Sequence, residues 1–280
     1  MEPRVITEEA IQQFKTSLIQ EEKSPATVEK YLRDVRAFVR FCGGTAITKE
    51  VTIQYKQHLL EQYAPASVNS MLAAVNRFLK EMGWYDCVVK RVKIQHQAFR
   101  SGEKELTKVE YIRLLQAARQ RGDIRLYLLM QTVCSTGIRI SELRFITVEA
   151  VREGRATVTL KGKTRQVLLP KALIRELIPY INIKGIQTGS IFVTKTGKPL
   201  DRSNILHSMK LLCRAARVDP RKVYPHNLRH LFACQYYKAE KNLSNLADLL
   251  GHSSVNTTRI YTSTSGMEHQ RQIDRLGLVI

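Results

Sequence analysis

The sequence predicts a mainly α protein, α+β in class, with a helical N-terminal domain and a mostly helical second domain that carries a small antiparallel β-sheet. Apolar residues recur at three- and four-residue steps through most of the chain, the period of a helix with one buried face. One pair of strand-like runs lies between residues 156 and 169, and all periodicity is lost from Lys93 to Glu105. The expected layout is therefore a domain over residues 1–92, a linker over 93–105 and a second domain over 106–280.

The elements follow in order. Thr7 ahead of Glu8 and Glu9 opens a helix, and Ser24-Pro25 supplies a cap followed by proline at the first helical position. Tyr31, Leu32, Val35, Phe38, Val39 and Cys42 then line a stripe that ends at Gly43-Gly44. A third helix fits Lys49 to Gln62, and a fourth carries Val68, Met71, Leu72, Val75, Phe78, Leu79 and Met82 up to Gly83. After the polar linker, Thr107 and Glu110 form a capping box at the start of the second domain. Ala156–Leu160 and Gln166–Leu169 flank the turn Lys161-Gly162-Lys163-Thr164, which predicts a hairpin with lysines at its tip. Ser190–Val193 is a further strand candidate before the Gly197-Lys198-Pro199 turn. Helices then fit Arg202 to Ala216, His226 to Lys238, Ser244 to Leu250 and Ser254 to Thr262.

Composition narrows the function classes. A chain of 280 residues, 44% hydrophobic and 25% charged, has enough apolar surface to bury a core, which argues against disorder. No apolar run reaches the roughly 18 residues of a membrane span, and the acidic, amphipathic N-terminus lacks the core of a signal peptide. The five cysteines are scattered, odd in number and never in a C-x-x-C pair, so small buried hydrophobes are the expected reading. Forty-five basic against 25 acidic residues leave a net charge of +20, which points to a polyanionic partner. Residues 151–222 alone hold 16 basic and 4 acidic side chains.

Four segments of the second domain gather groups suited to phosphate chemistry: Thr136 to Leu143, the Lys161 hairpin, His226 to His230, and Leu250-Gly251-His252 with Tyr261 nine residues on. Each has a bland reading when taken singly. Arg139 and Glu142 make an ordinary i,i+3 surface pair, Lys161 an exposed turn lysine, and Tyr261 a core residue with a wet tip. His226 and His230, at i,i+4, have the spacing of metal ligands, with His252 as a third. Asn227 stands where a zinc peptidase would carry its general base, and no Cys or carboxylate lies close enough in sequence to complete a set, so no metal and no other cofactor is expected. The Gly-rich phosphate loop of nucleotide hydrolases is also absent, so ATP is not expected to be used.

Together, in this order and spacing, the segments resemble the tyrosine recombinase (phage integrase) family. Its first box, T-G-x-R-x-x-E-L, is filled by Thr136 to Leu143; its second, H-x-L-R-H, by His226 to His230; its third, L-G-H followed at a short distance by Tyr, by Leu250-Gly251-His252 and Tyr261. The resemblance covers nearly the whole chain, because family members carry a helical, SAM-like DNA-clamp domain ahead of the catalytic one. The two domains are then expected to close around a duplex. With clamp helices beginning by residue 7, the chain is similar to the compact Xer-type and mobile-element recombinases that lack an added arm-binding domain.

The chemistry of these residue types fits that class. Two guanidinium forks, Arg139 and Arg229, match the non-bridging oxygens of a phosphodiester under attack and stand in for a metal. The Tyr261 phenol, with an ordinary pKa of ~10, becomes an effective nucleophile once it loses its proton in a cationic pocket, and the phosphotyrosyl link conserves the energy of the broken bond. The resemblance implies that Lys161 protonates the departing 5′-oxygen, with Lys163 the alternative because the hairpin is a residue shorter than the family's G-K-G-x-K-x-R. It also implies that His226 acts as general base, that His252 donates to the phosphate and that Glu142 orients the site. His230 is expected to be a partly buried structural histidine.

The basic helix holding Arg202, Lys210, Arg214 and Arg217 is the expected place for DNA contacts. The apolar residues of the tail, Met267, Ile273, Leu276, Leu278 and Ile280, suit packing back on their own domain, and the resemblance implies instead their donation to a neighbouring subunit. The expected partners are double-stranded DNA with paired recombination sites, three further copies in a homotetramer, and in some systems a second recombinase, with no membrane. The expected location is the cytoplasm, on the nucleoid when DNA is bound. A non-cutting DNA-binding regulator on the same scaffold and a type IB topoisomerase are the alternative readings.

Overall fold

The computed structural model describes residues 4–94, 105–160, 162–194, 196–252 and 255–258. It divides into two compact units, Met1–His96 and Gln97–Ile280.

The first unit holds four helices: α1 (Glu8–Gln20), α2 (Pro25–Cys42), α3 (Lys49–Gln62) and α4 (Pro65–Glu81), followed by a single 3-10 turn at Tyr85–Cys87. Their starts are chemically marked. Thr7, Ser24 and Thr48 each accept a backbone N–H of the following first turn, and Pro25 and Pro65 occupy first positions where no N–H is needed. α4 is the central element, with Val68, Leu72, Val75, Phe78 and Leu79 fully buried along the stripe that the 3.6-residue period places on one side. Phe78 meets Phe14 of α1 edge to face at 5.3 Å, tying the first helix to the fourth.

The second unit begins with α5 (Lys108–Gln120), α6 (Ile124–Thr136), a 3-10 segment at Ile140–Phe145 and α7 (Val148–Glu153). The capping box forms in full: the Thr107 hydroxyl accepts the Glu110 N–H at 3.2 Å, and Glu110 accepts the Thr107 N–H at 2.8 Å. Strands β1 (Arg155–Leu160) and β2 (Lys163–Leu168) pair antiparallel, with Leu160 opposite Lys163 and Val158 opposite Arg165. Then come α8 (Lys171–Lys184), α9 (Arg202–Lys210), α10 (Cys213–Ala216), a 3-10 turn at Pro220–Lys222, α11 (Pro225–Glu240), α12 (Leu243–Leu250) and α13 (Val255–Thr258). The core gathers α5, α6, α7, α8 and the buried side of α9 and α11, including Leu129, Val133, Val158, Leu177 and Leu228. Cys42, Cys87 and Cys213 lie buried in the two cores, while Cys134 and Cys234 are half-buried.

Three sequence expectations need correction. Lys163 pairs with Leu160 and Thr164 with Thr159, so Lys163 and Thr164 belong to β2 rather than to the turn. Ser190–Val193 is not a strand: Ser190 and Val193 make isolated bridges to Thr147 and Pro199, and the sheet among the described residues has two strands. The basic helix from Arg202 breaks after Lys210, where the Leu212 N–H bonds Met209 three residues back, before α10 resumes. Burial of Leu212, Cys213 and Ala216 explains the break, because the tightened turn swings these apolar residues onto the core that Ile205 and Met209 already join. The helix expected over Ser254 to Thr262 is described over Val255–Thr258, and the tail from 259 lies outside the described residues. Among the described residues no helix is long and apolar enough to cross a membrane.

Candidate active site

The site is organised by the C-terminal end of α12. A helix end leaves carbonyls without intrahelical partners and carries partial negative charge, so it suits cations. Three successive carbonyls there each accept from a different arginine: Leu249 from Arg165 Nε at 3.4 Å, Leu250 from Arg229 Nη2 at 2.7 Å and Gly251 from Arg139 Nη2 at 3.3 Å. The third motif thus gathers arginines from the first motif, the hairpin and α11. Gly251 closes the helix in the left-handed region at φ 63°, and the His252 N–H bonds back to the Ala247 carbonyl at 2.9 Å, a Schellman closure. A Cβ at Gly251 would stand 2.6 Å from Arg165 Cδ, so glycine is required both by conformation and by the arginine packed on it.

Glu142 balances part of this charge. It is 1% exposed, accepts both Arg165 Nη1 and Nη2 at 3.0 and 2.9 Å, and also takes the Arg139 N–H at 2.8 Å and Arg139 Nη1 at 3.0 Å. Burial pushes its carboxyl up, but the Arg165 fork and the Arg139 N–H outweigh that and hold it below the ordinary value. Arg139 reaches this place because Gly137, at φ 65°, ends α6 and turns the chain back on itself. A side chain at Gly137 would collide with Phe232 Cδ1 at 2.5 Å.

Arg229 is the largest of the fully buried side chains. Its Nη1 donates to the Gly137 carbonyl at 2.5 Å, its Nη2 to the Leu250 carbonyl, and the same Nη2 lies 3.0 Å from His252 Nε2. Because a guanidinium only donates, Nε2 accepts, and the neutral ring's proton sits on Nδ1, 2.9 Å from Thr258 Oγ1. Burial first, then the charge of Arg229, Arg139, His226 and Arg165, lowers the His252 pKa from 6.5 to about 4. A histidine depressed in the folded state contributes stability that is present above pH 6.5 and is lost as pH falls toward 4. Wild type should therefore lose roughly 1–2 kcal/mol more than His252→Gln over that interval, a size reduced for a ring that still meets solvent. Urea midpoints of the two proteins from pH 7 to 4 would show it, and parallel curves would contradict it.

Arg139, His226 and Arg229 share the wall of a cavity of about 390 Å³, together with Ser141, Asp201 and Arg202. His226 is exposed, at the start of α11 one residue after Pro225. The arrangement, the guanidinium groups of Arg139 and Arg229 on the cavity wall with Arg165 and Glu142 packed beside them and a neutral histidine next to Arg229, is suited to hold an anion with tetrahedral oxygens. His230, one residue beyond Arg229, faces away: it is 7% exposed, with Nδ1 3.4 Å from Cys234 Sγ and Nε2 3.7 Å from Glu105. Among the described residues no group of three or more His, Cys, Asp or Glu is placed to hold a metal.

Arg214 and Arg217 are exposed, Arg217 in the left-handed region at φ 51°, whereas Lys210 is half-buried and donates to the Pro220 carbonyl. Lys161, Tyr261 and the tail residues Met267, Ile273, Leu276, Leu278 and Ile280 lie outside the described residues; the backbone of Lys163 is the first position of β2. Arg165 and Thr258 were not singled out by sequence. Arg165 had one available signal: two residues before Val167 it shares that residue's buried face, opposite Val158, so it is a basic residue on the core side of a hairpin.

Residues 104–267 match the phage integrase family, and residues 11–84 match the N-terminal SAM-like domain of phage integrases. The tyrosine recombinase XerA of Thermococcus kodakarensis is 29% identical over 272 residues, which cover 94% of this chain and 93% of that protein. Among solved structures, a lambda integrase tetramer bound to a Holliday junction aligns with a TM-score of 0.75 at 17% identity, over 93% of this chain and 78% of the other. The XerH recombinase, bound to a palindromic difH substrate in a post-cleavage complex, aligns with a TM-score of 0.73 at 16% identity, over 92% of this chain and 84% of the other. Those two likenesses show a common fold, and the family match extends over more than half of the sequence. The chain belongs to the phage integrase family, the tyrosine recombinases, enzymes of site-specific DNA recombination.

Proposed function

We propose that the protein cleaves and rejoins DNA strands at paired sites through a 3′-phosphotyrosyl intermediate on Tyr261. The observation that carries this reading is the convergence of Arg139, Arg165 and Arg229 on three consecutive carbonyls at Leu249–Gly251, the three residues immediately before His252. Arg139 and Arg229 grip the non-bridging oxygens of the scissile phosphate and stabilise the charge that grows there during in-line attack. His226 takes the phenolic proton, the tyrosine oxygen forms its bond to phosphorus, and the bond to the 5′-oxygen breaks as Lys161 supplies a proton. Lys163 is the alternative donor. A bound phosphodiester raises the proton affinity of His252, which then donates to a phosphate oxygen, while Glu142 keeps both Arg139 and Arg165 in place. His230 supports α11 from behind.

Residues 1–92 serve as the DNA-clamp domain and 106–280 as the catalytic domain, joined by 93–105. Arg202, on the cavity wall, with Lys210, Arg214 and Arg217 contributes phosphate and groove contacts. Four copies act on two duplexes, as in the lambda integrase tetramer on its junction, with residues 267–280 passing between neighbours. The protein works in the cytoplasm on the nucleoid.

Strand exchange between two differently labelled duplexes tests the assignment. Recombinant strands carrying both labels are expected, without metal or ATP in the buffer. Relaxation of supercoiled DNA with no exchange would indicate a topoisomerase, and stable binding with neither activity would indicate a regulator; both outcomes overturn the proposal.

A further inference from the structure

We infer that Arg165 is a positioning residue for leaving-group protonation, acting by pinning the β1–β2 hairpin to the arginine cluster. The inference rests on the reading of Lys161 as proton donor. Arg165 sits in β2 opposite Val158, three residues beyond the turn position Gly162. Its guanidinium forms a bidentate pair with the buried Glu142 at 3.0 and 2.9 Å, while Nε reaches the Leu249 carbonyl at 3.4 Å. One side chain therefore joins the hairpin to both the first motif and the end of α12. The fit is close, since the Arg165 aliphatic stem occupies the space that a Cβ at Gly251 would need.

Among the described side chains, Arg165 is the one on the hairpin that bonds both Glu142 and the end of α12. Lys161 precedes this anchor by four residues in sequence, and the backbone on either side of it is paired, Leu160 with Lys163 and Thr159 with Thr164, so the tether is short. Arg165 is not placed to touch the substrate, because its donors are directed to Glu142 and Leu249. What it controls is where the hairpin tip sits relative to Arg139 and Arg229. Proton transfer to a leaving group depends steeply on such placement, and an ångström of error is enough to cost about 100-fold.

A substrate that needs no proton donor isolates this role. In the normal reaction the tyrosine oxygen bonds phosphorus, the phosphorus–oxygen bond to the 5′ carbon's oxygen breaks, and that oxygen gains a proton. With a 5′-bridging sulfur the phosphorus–sulfur bond breaks and the thiolate departs unprotonated. Single-turnover cleavage of both duplexes by wild type, Arg165→Ala, Arg165→Lys, Lys161→Ala and Lys163→Ala would decide the matter. Arg165→Ala should slow cleavage of the oxygen substrate about 100-fold and of the sulfur substrate by no more than about threefold, the pattern also expected of Lys161→Ala. Arg165→Lys keeps a charge beside Glu142 but cannot fork, and should show a smaller loss with the same selectivity; it serves if the alanine variant does not fold.

Equal losses on both substrates in the Arg165 variants would mean that Arg165 supports the phosphate clamp instead, and the inference would fall. If Lys161→Ala shows no sulfur rescue and Lys163→Ala does, the proton donor has been misassigned while the role of Arg165 stands. If neither lysine variant is rescued but the Arg165 variants are, the donor is another group positioned by this hairpin.

Discussion

Tyr261→Phe should bind its DNA site within about twofold of wild type and form no detectable covalent complex. The substitution removes one oxygen and leaves the ring, so the phosphate contacts that dominate affinity remain. The reaction loses its proposed nucleophile outright, because the phenyl ring has no lone pair to offer phosphorus. A nicked duplex from which the cleaved fragment diffuses away traps the wild-type intermediate. Denaturing electrophoresis of the two proteins after that reaction gives the comparison, and the shifted band should be weaker by at least about 1,000-fold in the variant. A trapped band of wild-type intensity would place the nucleophile elsewhere in the chain. Peptide mapping of the wild-type adduct then identifies the linked residue directly.

Arg229→Ala is expected to fail twice, in stability and in cleavage. The side chain is 2% exposed and donates to the Gly137 and Leu250 carbonyls and to His252 Nε2, so truncation takes this donor from two buried carbonyls and a half-buried ring nitrogen and opens a cavity. Each unpaired acceptor costs on the order of 1–3 kcal/mol, offset in part by water entering the space, for a net loss of roughly 3–5 kcal/mol. For a unit of this size that lowers the melting temperature by about 10 °C. Catalysis should fall further, by about 1,000-fold or more, because one of the two forks proposed to grip the phosphate is gone. Arg229→Lys separates the two effects: it retains charge and one donor, recovers part of the stability, and should still cleave at least about 100-fold more slowly than wild type. Calorimetry and single-turnover cleavage on the same preparations would show the split; a lysine variant with wild-type rate would remove Arg229 from the clamp.

Both predictions depend on groups that the sequence placed differently well. Local signals were reliable where one element's own chemistry decides. Thr7, Ser24 and the Thr107–Glu110 box mark helix starts because a hydroxyl or carboxylate satisfies an N–H only three or four residues away. The stripe on α4 is legible for the same reason, since every member lies on one turn-to-turn face. Expectations weakened where competing local structure was close in energy. The apolar run after Lys210 has helical spacing, yet the core takes Leu212 and Cys213 through a tightened turn, and Ser190–Val193 is strand-like in composition but finds no continuous partner.

The sequence by itself determined the helical stripes and caps, the hairpin, the basic character and the motif residues that mark the family. Tertiary structure alone decided how those residues meet. Arg139 reaches Gly251 across 112 positions, Arg165 reaches Leu249 across 84, and Arg229 reaches Gly137 across 92. All of these contacts end on backbone carbonyls, which every residue possesses and no sequence pattern advertises. Only when α11 packs on α6, and the end of α12 is brought to the hairpin, do the unpaired carbonyls of helix ends acquire a direction in space. Arg165 was hidden for that reason: its acceptors exist as a site only after the chain has folded, because a helix terminus is an electrostatic object made by many residues together and owned by none of them.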